Sequence, residues 1–132
     1  MILVDTNVLI DVLEDDPEWA DWSIAQLRAQ SHAHALVINS VIYAELSLTF
    51  STVEMLDAVV DNLGLKMTEI SRPALFLAGK AFAQYRRKGG GKSSMRADFF
   101  IGAQAAVMGW PLLTRDTRRY QTYFPKVKLI AP

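Results

Sequence analysis

The sequence predicts an α/β fold with a mainly parallel sheet of four or five strands. Three observations lead there. Short apolar runs without polar alternation recur at residues 2–4, 35–38 and 112–114, as strands buried on both faces do. Segments with helix-capping residues separate these runs, which is the alternation of βαβ units. Finally, 51% of the 132 residues are hydrophobic, and a chain of this length buries roughly two thirds of the surface it exposes when unfolded. A single domain over residues 1–132 is therefore expected to hold together without staples. The chain has no cysteine, so disulfides, thiolate zinc sites and thiol nucleophiles are excluded.

Each element has a local reason. After the strand at 2–4, Asp5, Thr6 or Asn7 can cap a helix carrying Val8 to Leu13. Pro17 is suited to the first turn of a second helix reaching about residue 30, with Trp19, Trp22, Ala25 and Leu27 roughly along one face. A second strand at 35–38 leads to Asn39-Ser40, which caps a helix bearing Tyr43, Glu45 and Leu46. Ser51 and Glu54 have capping-box spacing, and Gly64 is a C-terminal stop, giving a helix over 52–63. Residues 65–68 form a weaker strand. Ser71, with Pro73 in the first turn, opens a helix to about residue 87, and Gly89, Gly90 and Gly91 end it in a loop. A helix over 96–108 closes at Gly109, and 127–130 make a last edge strand. There is no internal repeat. The apolar start lacks a basic leader and is cut by Asp5, so no signal peptide is expected. No apolar run approaches the ~20 residues of a membrane span, and a soluble, cytoplasmic protein is the expectation.

The net charge is zero, but its distribution is lopsided. Residues 1–61 hold eleven acids and one base, and residues 62–132 hold three acids and thirteen bases. Two of those three late acids are Asp98 and Asp116. A basic surface with isolated acids in it suits an anionic partner such as nucleic acid. The early run Asp11, Glu14, Asp15, Asp16 and Glu18 reads as a solvated helix end, and His32 and His34 read as surface residues rather than ligands. Trp19, Trp22, Phe76, Phe82 and Tyr85 stand at helical spacings suited to a core or a dimer interface.

In open parallel sheets the functional crevice lies beyond the carboxyl ends of the strands. Asp5 follows the first strand directly and Asp116 follows the late strand by two residues, while Glu45 and Asp98 lie near the starts of helices that begin on that side. Four acids in one cleft repel each other unless a cation offsets them. Oxygen-only sites favour Mg²⁺ or Mn²⁺, and one or two such ions, ~3.5–4 Å apart when paired, support phosphoryl chemistry with an activated water.

The segments around these acids read LVDTNVLID at 3–11, AEL at 44–46, ADFFIGAQA at 97–105 and LLTRD at 112–116. In order and spacing, over the whole chain, they resemble the PIN-domain nucleases, and in particular the VapC-type toxins of toxin–antitoxin pairs. The resemblance implies a three-layer α/β/α sandwich and a metal-dependent endoribonuclease. It implies that Asp5, Glu45, Asp98 and Asp116 hold Mg²⁺ or Mn²⁺, with Asp116 the member that can act through water. Asn7, Thr114 and Ser40 match supporting polar positions. It further implies a homodimer, and a VapB-type antitoxin that blocks the cleft with a segment often bearing Arg. Arg86, Arg87, Lys88, Lys92 and Arg96, with Arg115 beside Asp116, are candidates for gripping RNA phosphates.

Other readings fit less well. Gly91-Lys92-Ser93 suggests a phosphate loop, but that motif needs a glycine where Arg86 stands, and a strand before it where a helix is expected. A phosphatase of the haloacid dehalogenase type needs a second Asp where Asn7 stands, and a receiver-type signalling domain needs an acidic pair where Asp5-Thr6 stands. A PIN fold acting on DNA, or used as an inactive binding scaffold, is the third alternative. The four intact acids speak against inactivity, but only the family resemblance separates RNA from DNA.

Overall fold

The computed structural model describes residues 1–89 and 96–132. Its five strands are β1 (Ile2–Val4), β2 (Leu36–Asn39), β3 (Leu65–Thr68), β4 (Leu112–Leu113) and β5 (Leu129–Ile130). All pair in parallel, in the order β3-β2-β1-β4-β5. The order turns back between β1 and β4, which makes their carboxyl ends the switch point of the sheet. Asp5 N–H donates to the Leu113 carbonyl at 2.9 Å, fixing that end. Strands β1, β2 and β4 are wholly buried, whereas β3 exposes Lys66 and Met67 at one edge. The expected all-apolar runs are thus the inner strands, and a lysine guards the outer one.

Seven helices flank the sheet among the described residues: α1 (Thr6–Leu13), α2 (Ala20–Ser31), α3 (Ser40–Leu46), α4 (Val53–Asn62), α5 (Arg72–Arg87), α6 (Ala97–Met108) and α7 (Arg118–Tyr123). Ser71 caps α5 through Ala74 N–H, and Asn39 caps α3 through Ile42 N–H, as their positions predict. Gly109 ends α6 at φ 69°, a conformation that costs a residue with a Cβ far more. Among the described residues, no helix is long and apolar enough to cross a membrane.

The structure departs from the local expectations at several points. Helix α2 starts at Ala20, not Pro17, because Asp16 Oδ1 accepts from both Glu18 and Trp19 N–H at 2.9 Å and holds the intervening residues in a turn. Its buried residues are Ala20, Ser23 and Leu27, and Ala25 is exposed. Thr52, not Ser51, caps α4, accepting from Met55 N–H at 3.2 Å. Helix α7, which the sequence pattern does not announce, fills part of the segment between β4 and β5. Phe76 is 68% exposed, while Phe82 and Tyr85 pack with Phe99 at ring separations of 5.7 and 5.5 Å.

Two contacts hold α6, the helix that bears Asp98. Gln104 is buried, accepts from Asn39 Nδ2 at 2.7 Å, and donates to Thr68 Oγ1 and the Glu69 carbonyl at 3.0 Å. On the same helix, Gly102 rests on the ring of Phe124, whose Cγ would lie 3.1 Å from an added Cβ, with two more ring atoms closer still. Gly102→Ala is therefore expected to destabilise the fold by about 1–3 kcal/mol through overpacking. A denaturant titration measures this, and an unchanged midpoint would mean that Phe124 moves aside freely.

Candidate active site

At the switch point an open cavity of about 380 Å³ is lined by Asp5, Glu45, Asp98 and Asp116, together with Thr6, Arg96 and Tyr120. Four separate segments deliver the acids: the β1–α1 junction, α3, the second residue of α6, and the loop after β4. Glu45 arrives from the last turn of α3, not from near its start. This helix is only seven residues long, and its far end still reaches the rim, where Glu45 Oε1 accepts from Thr6 Oγ1 at 2.6 Å.

Asp5 is the most constrained acid. It is 6% exposed, and its Oδ2 accepts from Thr114 Oγ1 and Tyr120 Oη at 2.8 Å and from Asn7 Nδ2 at 3.4 Å. Burial pushes its pKa up to about 6, against the lowering effect of the Tyr120 and Thr114 hydroxyls, with nearby Glu45 adding to the rise. The Tyr120 hydroxyl, buried beside Asp5, is held well above its ordinary pKa and stays a donor. Asp98 is also raised, first by burial and then by Asp116, while Arg119 and Arg96 pull it back. Its Oδ2 lies 3.4 Å from Arg119 Nε, but its buried Oδ1 has no hydrogen-bond partner among the described residues.

Asn7 and Thr114 tie the two strand ends together. Asn7 Oδ1 accepts from Arg115 N–H at 3.1 Å, and Thr114 Oγ1 accepts from Asp116 N–H at 3.1 Å. The Arg115 guanidinium lines the cavity but is engaged. It donates through Nε and a terminal nitrogen to the two oxygens of Asp11, at 2.7 and 2.9 Å, and lies 5.5 Å from the Trp19 ring. Asp11 is not part of a solvated run: it is 2% exposed and also accepts from Ser23 Oγ at 3.1 Å.

The other expected positions divide. Arg96 lines the cavity. Ser40 does not: it is exposed and borders a separate hollow with Met67, Thr68 and Leu75. Arg86 is exposed at the end of α5, its guanidinium 5.9 Å from the Phe82 ring. Lys92 lies outside the described residues. Sequence reasoning missed Tyr120 and Arg119, which sit in the unannounced α7, and Asp11. Thr6 was legible only as a possible helix cap.

The donor set can be tested against a divalent cation. The carboxylates are hard oxygen ligands, burial raises the pKa of two of them, and Asp98 Oδ1 is buried without a partner among the described residues. These features fit a cation. Among the described residues, however, no group of three His, Cys, Asp or Glu side chains converges closely enough to hold an ion unaided. An oxygen-only donor set of this kind suits a hard cation such as Mg²⁺, which keeps several of its waters.

A family model for the PIN domain matches residues 2–125. The chain belongs to the PIN domain family. Its fold is shared by several solved chains at low sequence identity. VapBC2 from Rickettsia felis bound to a promoter DNA fragment gives a TM-score of 0.74 at 20% identity, over 99% of this chain and 98% of that one. DNA-bound VapBC from Salmonella typhimurium gives 0.72 at 21%, over 98% and 96%. A toxin–antitoxin complex from Klebsiella pneumoniae gives 0.65 at 21%, over 96% and 95%. No curated protein sequence matches the chain at a significant level. In this PIN domain the five-stranded parallel sheet carries the acid cavity at its switch point.

Proposed function

We propose that this PIN domain is a metal-dependent endoribonuclease of the VapC toxin type. The observation that carries the reading is the set of four carboxylates from four segments lining one cavity, one of them with a buried oxygen that has no partner among the described residues. The family match and the likeness to toxin–antitoxin chains support it, and the choice of RNA over DNA rests on the family resemblance alone. Mg²⁺ or Mn²⁺, when bound, lowers the pKa of a water and offsets charge that builds on the phosphate.

The chain's own part is orientation. Thr114, Tyr120 and Asn7 fix one oxygen of Asp5, Thr6 fixes Glu45, and Arg119 steadies Asp98. Preset groups of this kind cost no reorganisation during the reaction. In the hydrolysis, water oxygen bonds to phosphorus, the bond to the 3′ oxygen breaks, and that oxygen takes up a proton. The products carry 5′-phosphate and 3′-hydroxyl ends. A second copy of the chain and a small antitoxin covering the cavity complete the reading.

Expression in a bacterial host tests it. Wild type is expected to arrest growth while cellular RNA is cut, and Asp98→Asn is expected to do neither. Equal growth with intact RNA in both strains would remove the toxin reading.

A further inference from the structure

A second hollow, of about 580 Å³, opens beside the acid cavity and shares Arg96, Asp98 and Asp116 with it. Its remaining lining includes Tyr85, Tyr123, Arg118 and Arg119. The two tyrosines are half-buried and meet edge to face, ring centres 6.1 Å apart. Arg119 lies 4.9 Å from the Tyr85 ring and 5.4 Å from the Phe99 ring, and its buried Nη1 has no hydrogen-bond partner among the described residues. Lys88, an exposed side chain, stands 5.5 Å from the Tyr123 ring. Two tyrosine rings, two arginines and a shared wall with the carboxylates therefore converge in one place.

We infer that this hollow binds an unpaired nucleotide of the substrate strand next to the scissile phosphate, its base stacked in the Tyr85–Tyr123 corner and a backbone phosphate held by Arg118 and Arg119. The inference rests on the ribonuclease reading and adds where one base and its phosphate are held beside the acids. A ring face stacks on any base, so the site contributes affinity with little sequence preference. Phosphate contacts from the arginines set register and carry no sequence information of their own.

Fluorescence anisotropy tests the site, using a labelled single-stranded oligoribonucleotide and a matched strand of abasic ribose phosphates, both in chelator. Tyr123→Leu is expected to weaken binding of the base-bearing strand about tenfold and to leave the abasic strand at its wild-type affinity. Arg118→Ala, at an exposed position, is expected to weaken both strands equally. Unchanged binding by Tyr123→Leu, or an equal loss on both strands, would overturn the site. Photo-crosslinking of wild type to a 5-bromouridine strand avoids any folding defect in the variant. The adduct is expected on Tyr85 or Tyr123, and an adduct found only elsewhere contradicts the proposal. The two readings fail separately. Wild type that binds bases here but cuts no RNA with Mg²⁺ or Mn²⁺ loses the nuclease reading alone. Wild type that cuts RNA while Tyr123→Leu behaves normally loses the nucleotide site alone.

Discussion

Asp5→Asn is expected to abolish RNA cleavage and, in the absence of divalent cations, to make the protein more stable at neutral pH. The sign follows from burial. The Asp5 carboxyl titrates at about 6 in the folded chain, against 3.8 for an unperturbed group. Because the folded value is raised, the fold favours the neutral acid. Stability is full below about pH 4 and is lost as pH rises toward and through 6, by about 3 kcal/mol in all. Asparagine imitates the neutral acid and escapes that loss, while its amide oxygen can still accept from Thr114 and Tyr120. A gain of about 2–3 kcal/mol at pH 7.5, several degrees in Tm, is expected to vanish near pH 4. Thermal melts in chelator at the two pH values measure this. A less stable Asp5→Asn at pH 7.5 would show that ionised Asp5 is well accommodated without a cation. Mg²⁺ or Mn²⁺ is expected to raise the Tm of wild type more at pH 7.5 than at pH 5, where the proton competes for Asp5.

The second large effect lies away from the acids. Arg115→Ala removes the only cation bonded to buried Asp11 among the described residues, leaving that carboxylate with Ser23 alone. Stranding a buried charge costs about 3–5 kcal/mol when both partners are enclosed. The Arg115 side chain is 30% exposed, so the lower end, about 3 kcal/mol, is expected. Asp11→Asn is expected to cost less, because Arg115 can turn to solvent while Ser23 keeps a polar neighbour. Denaturant midpoints of the two variants measure the asymmetry, and equal losses would contradict it. Arg115→Ala should also lower activity, since the guanidinium pair with Asp11 anchors the loop after β4 that presents Asp116.

Much of this molecule is written locally. The inner strands are continuous apolar runs, and Asn39, Ser71, Gly64 and Gly109 punctuate the helices as capping chemistry requires. Asp5 and Asp116 were legible because they follow strands that are themselves legible. What local pattern does not carry is long-range pairing. Asp11 resembles its solvated neighbours in sequence, yet it is buried and paired with Arg115, 104 residues later. Tyr120 gives no sign of serving Asp5 across 115 residues, and α7 is too short to show a periodicity. Ser40 fell at a plausible spacing, yet the first residue of α3 faces a different hollow from the one that Glu45 reaches five residues on.

In the proposed function these carboxylates hold a cation needed to cut RNA. Its most direct test is incubation of the purified chain with an end-labelled single-stranded RNA, with Mg²⁺, with Mn²⁺ and with chelator. Cleavage to 5′-phosphate and 3′-hydroxyl ends is expected with either metal, no cleavage in chelator, and a loss of at least about a hundredfold in Asp98→Asn. Cleavage that persists in chelator, or at wild-type rate in Asp98→Asn, would contradict the account.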